Sequence, residues 1–161
     1  MKFRSGAFLL LLALLQLSVG APTPTPEPEI TKEMAIKAAT LFRNADPFSS
    51  DALGYAAILI RFTEKSPEVM IKVSHKPLPF LSSKKLSDKE RAILIAAFVA
   101  GEMDSQLLHR KVKDDPYAGD LQLIETYRLM QQKKPRFVIP EIEQLIELEK
   151  AGELKRYLEA K

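Results

Sequence analysis

Two histidines, His75 and His109, are the scarcest chemistry-bearing residues of the chain, and cysteine is absent altogether. The lack of thiols excludes a thiolate zinc site, an iron–sulfur cluster, a cysteine nucleophile and a disulfide framework. If one helix runs through 102–109, then Glu102, Ser105, Gln106 and His109 share a face, because residues three, four and seven apart are neighbours on a helix. Glu102 and His109 could then supply two metal ligands, with a third from Asp104 or His75. A bare pair more commonly means an imidazole resting at the negative end of its helix. The expectation is therefore no metal and no cofactor, with Glu102 and His109 kept as binding candidates.

Ser82-Ser83-Lys84-Lys85 has the S-x-x-K spacing of a lysine-activated serine nucleophile. That chemistry needs the serine at the start of a buried helix and S-x-N and K-T-G elements beside it. Both partner elements are missing, so the stretch reads as a polar loop. Glu141, Glu143, Glu147 and Glu149 place 143 and 147 on one helix face, opposite Ile142, Leu145 and Ile146, which describes a solvated face rather than an acid–base pair. No phosphate loop, dinucleotide fingerprint or nucleophile elbow occurs, and an enzyme is disfavoured.

Surface recognition offers other candidates. Phe80 and Leu81, in the proline-rich stretch PLPFL, are a docking knob or a plug that folds back on the core, the latter preferred. Tyr117 follows Asp115-Pro116 at a helix start, where it is placed to be presented. The basic clusters HRKVK (109–113) and KKPR (133–136) lie at helix C-termini, just ahead of the acidic starts of the next helices. Charges so placed complement the helix dipoles at ~0.3–1 kcal/mol each and need no nucleic acid. No aromatic stacking platform accompanies them.

These residues must be positioned by helices. Thr31 caps a helix to about Arg43, and Ser49 or Ser50 caps a second from about Asp51 to Glu64, apolar nearly all round and so expected to be central. The run VMIKVS (69–74) is open to helix or strand. With no second strand to pair, helix is preferred. Ser87 and Glu90 form a capping box before nine apolar residues, Ala92–Ala100, and Gly101 marks either close helix contact or a break. Asp115-Pro116 opens a helix to about Lys133 with Leu121, Ile124, Tyr127 and Met130 on one face; Pro140 opens another that Gly152 ends; 153–160 add a last turn or two. The fold expected is all-α, an antiparallel array of five to six helices of the helical-hairpin or bundle type, without a detectable repeat.

Ahead of the helices, Lys2 and Arg4, the apolar run Ala7–Leu17 and the small residues Ser18-Val19-Gly20-Ala21 read as a signal peptide, 1–20, cleaved after Gly20. The apolar run is shorter than the ~20 residues of a spanning helix. Residues 21–30 form a Pro/Thr-rich linker, and 31–161 a single all-α domain. The full chain of 161 residues is 46% apolar and 28% charged with a formal charge of +3, but the leader takes Lys2 and Arg4 with it. What remains is 22 basic and 21 acidic residues, nearly balanced, which removes the polyanion hint of the sequence pI near 9.0. The expectation is an exported periplasmic or extracellular protein with no membrane span once the leader is cleaved. Its expected role is non-catalytic binding or scaffolding of another envelope protein, without nucleic acid. The alternative is a small envelope hydrolase with a carboxylate, Glu102 or Asp104, in an inter-helix groove.

Overall fold

The computed structural model describes residues 28–160. The leader, its cleavage point and most of the linker lie outside the described residues. Six α-helices and one 3-10 turn are found among them: α1 (Lys32–Asn44), α2 (Ser50–Lys65), the 3-10 turn (Pro79–Ser82), α3 (Asp88–His109), α4 (Pro116–Lys133), α5 (Pro140–Lys150) and α6 (Leu154–Glu159).

The helix boundaries follow local chemistry. Thr31, Ser49, Ser87 and Asp115 each accept a hydrogen bond from a backbone N–H of the first turn that would otherwise lack a partner. Ser87 and Glu90 form the full reciprocal capping box. Pro116 and Pro140 occupy first-turn positions, where a missing N–H is harmless. α3 ends at Arg110, whose φ of 50° is the left-handed stop usually given to glycine, and Gly152 at φ +69° follows α5.

α1 packs on α2, α2 on α3 and α3 on α4, with smaller contacts to α5 and α6. The central element is α3, which buries both its apolar run and, further on, Glu102, Met103 and Gln106. It is also the one described helix long and apolar enough to cross a membrane, and the fold uses it as the core.

Three details differ from expectation. α2 is not the central helix: it buries the single stripe Ala52, Ala56, Leu59 and Phe62, with Ala57 exposed, because its main helix neighbours are α1 and α3. Leu121 is exposed, since α4 turns the face of Asp120, Leu123, Ile124 and Tyr127 inward. The run 69–74 is not a helix, and it lacks a strand partner. Its backbone is held by side chains instead: Gln106 Nε2 donates to Met70 O at 2.8 Å, Met70 N donates to Gln106 Oε1 at 2.8 Å, and Lys72 N donates to Asp114 Oδ1 at 2.8 Å. An amide side chain carries both a donor and an acceptor, so Gln106 replaces a strand neighbour at Met70.

Candidate functional site

Gly101 and Gly119 determine how closely α3 and α4 approach. A Cβ on Gly101 would lie 2.3 Å from the Ala118 carbonyl oxygen, and one on Gly119 would lie 2.6 Å from the Phe98 ring and 3.0 Å from Glu102 Cγ. The helix backbones therefore touch where Gly101 leaves room, and α3 continues unbroken through it.

This crossing encloses two carboxyl groups. Glu102 on α3 and Asp120 on α4 are both fully buried, at 0% exposure. Glu102 Oε2 accepts from Asp115 N at 3.0 Å and from Gln106 Nε2 at 3.4 Å. Glu102 Oε1 and both oxygens of Asp120 have no hydrogen-bond partner among the described residues. Burial pushes the Glu102 carboxyl up to about 8, with Asp114 and Asp115 adding repulsion against the downward pull of the Asp115 N–H. Burial also pushes Asp120 up to about 8, with the nearby Glu102 reinforcing it. Two buried carboxyls short of hydrogen-bond donors are held more readily as neutral acids than as a pair of carboxylates.

Outward from this pair, Ser105 Oγ donates to Asp115 Oδ2 at 2.5 Å, while Asp115 Oδ1 caps α4 through Ala118 N. Ser105, Asp115, His109 and Tyr117 line a groove of about 440 Å³ where the end of α3, the start of α4 and α6 meet. Lys111 and Lys113 also line it, and Lys155 lies 6.0 Å above the Tyr117 ring. Asp114, Asp115 and Glu159 set three carboxylates against these three lysines. Glu102 does not line the groove; it sits behind Ser105, Gln106 and Asp115.

Of the candidates read from the sequence, the fold brings His109 and Tyr117 together in the groove and separates them from Glu102, which is buried. The Glu102–His109 pair gathers no third ligand: Asp104 is bonded to Arg43 of α1, and no group of three metal-type side chains assembles among the described residues. Phe80 is fully buried, so its ring is closed to a partner, and Leu81 is half-buried. Arg91 explains this placement. Its guanidinium donates to the carbonyls of Phe80 (3.2 Å), Leu81, Ser83 (3.0 Å) and Leu86 (3.3 Å), gathering the proline-rich loop around itself. The serines of the S-x-x-K stretch lie in this loop, Ser83 buried and Ser82 exposed.

Sequence reading missed Asp120, whose neighbours Gly119 and Leu121 make an ordinary helix start. The available signal was Gly119 itself, since a glycine inside a helix marks close backbone approach and places the next side chain at the crossing. Comparison of the chain with protein-family models, with curated proteins and with solved structures finds no match.

Proposed function

We propose that the chain is an exported, non-catalytic binding or scaffold module of the cell envelope, an antiparallel helical array whose contact surface is the groove between α3, α4 and α6. The observation that carries this reading is the separation of accessible from reactive groups. The open groove holds His109, Tyr117 and lysines, its Ser105 and Asp115 are bonded to each other, and the perturbed Glu102 is buried behind them. Lysines and carboxylates are matched in number along the groove, so a polyanion such as nucleic acid gains little there. A protein segment carrying both charges and an apolar residue for Tyr117 fits better. Export rests on the leader read from the sequence, and the mature start is expected at Ala21.

Affinity capture from an envelope extract tests the reading. The wild type and an Arg136→Glu control, altered at an exposed site outside the groove, are expected to retain one protein partner. A Tyr117→Ala/Lys113→Glu variant is expected to lose about tenfold or more in affinity, the equivalent of ~1.4 kcal/mol. Equal capture by the groove variant refutes the proposal.

A second reading, a small hydrolase acting through Glu102, draws support from the raised pKa of that carboxyl. It requires the crossing to open to substrate. Loss of a hydrolytic activity in Glu102→Gln, with partner capture unchanged, is its distinguishing outcome.

A further inference from the structure

We propose that Glu102 and Asp120 form a proton-operated latch on the α3–α4 crossing: protonated, they close it, and their ionisation as pH rises releases the 69–74 and 110–115 segments held beside it. The argument starts from the supply of donors. Three of the four carboxyl oxygens have no partner among the described residues, and both side chains are at 0% exposure. A buried ionised carboxylate without donors or a cation is strongly unfavourable, and a second one close enough to repel it adds to the cost.

The charged groups around the pair offer no relief. The loop before α4 contributes Asp114 and Asp115, both acidic, while its Lys111 and Lys113 stand on the groove wall; the two helices contribute Glu102 and Asp120 themselves. From α1, Arg43 is engaged with Asp104. On α2, Arg61 and Lys65 line a separate cavity beside Pro28. On α6, Lys155 lies over Tyr117 and Arg156 pairs with Glu153. At Gly101 and Gly119 the two helices lie too close to accept even an added methyl group.

The latch reaches the surface through a short chain of bonds. Glu102 binds Asp115 N and Gln106, Gln106 grips both backbone groups of Met70, and Asp114 holds Lys72 N. Ser105, Gln106 and Asp115 are also walls of the groove, so opening the crossing changes the groove. In the unfolded chain the two carboxyls titrate near the ordinary range of about 4. Between that range and about 8 the folded form binds more protons than the unfolded one. Stability therefore falls as pH rises through this window, the reverse of a salt-bridged carboxylate.

Thermal unfolding and amide hydrogen exchange of the mature chain, from about pH 5 to about pH 9 at constant ionic strength, test the latch. The wild type is expected to lose several degrees of Tm across this range, and amides in 69–74 and 110–118 to exchange faster after correction for intrinsic rates. Glu102→Gln/Asp120→Asn is expected to flatten both trends and to be the more stable form at the alkaline end. A His75→Asn/His109→Asn control, at two exposed sites, is expected to keep the wild-type slope. A flat wild-type profile, or an unchanged slope in the carboxyl double variant, overturns the proposal. Should that variant not fold, infrared spectroscopy of the wild type decides. A protonated-carboxyl band persisting at about pH 7 supports the latch, and its absence there rejects it.

Discussion

At the scale of single residues, one interior anchor has partners that the sequence does not name. Tyr127 is fully buried, and its hydroxyl donates to Glu143 Oε1 at 2.6 Å while accepting from Ile139 N at 2.9 Å and Gln131 Nε2 at 3.0 Å. Burial, reinforced by the neighbouring Glu143, pushes this phenol above its ordinary range. The hydroxyl thus ties α4 to the entry of α5, where Ile139 has no capping side chain. Tyr127→Phe is expected to lower stability by ~1–3 kcal/mol, read from chemical denaturation, because the buried Ile139 N–H loses its acceptor. A variant as stable as wild type sinks this account. Periodicity placed Tyr127 on the buried face of its helix, but two of the hydroxyl's partners, Ile139 and Glu143, are twelve and sixteen residues away and could be paired only by the fold.

Among the elements, the segment between α2 and α3 shows why propensity alone misleads. Its branched residues match strand and its isolation argues against one, yet Gln106 and Asp114 supply the backbone partners that a sheet would have. Gln106→Leu keeps bulk but removes both bonds to Met70, and faster proteolysis within 69–74 than in wild type is the expected result. The loop that follows is anchored differently, around Arg91, and Arg91→Ala is expected to expose Phe80 to solvent and raise binding of an apolar dye. The α3–α4 crossing is the least tolerant element. Gly119→Ala should cost about 1–3 kcal/mol in denaturant unfolding, since the added methyl meets the Phe98 ring and Glu102 in a packed interior.

Taken as a whole, the helices share one apolar cluster that runs from Ala35 in α1 to Leu154 in α6. One shared core predicts one cooperative transition: far-ultraviolet and tyrosine near-ultraviolet circular dichroism should report coincident denaturation midpoints for the chain from Ala21 onward. Separate midpoints for α1–α2 and α4–α6 would show two independent units. The charge pattern acts at this scale too. Arg43–Asp104 links α1 to α3, Lys134–Glu90 links the end of α4 to the start of α3, and Lys133–Asp46 reaches from α4 to the α1–α2 turn. Part of the surface charge is therefore internal stitching, each exposed pair contributing ~0–1 kcal/mol.

The features legible in the chain alone are local. Caps at Thr31, Ser49, Ser87 and Asp115, prolines at 116 and 140 and glycine at 152 act through bonds and dihedral limits within a few residues, so helix positions were legible without a structure. Glu102 was legible as a candidate by its place on the His109 face, but its state was not. Whether a carboxyl is solvated or protonated depends on what covers it, and the cover here includes Gly119, seventeen residues further along the chain. Tertiary structure alone decided that α3 rather than α2 is central, that Phe80 is inside, that a side-chain amide holds an unpaired segment, and that two acids meet at one crossing. Each is a matter of burial and desolvation, which arise only when distant segments exclude water together.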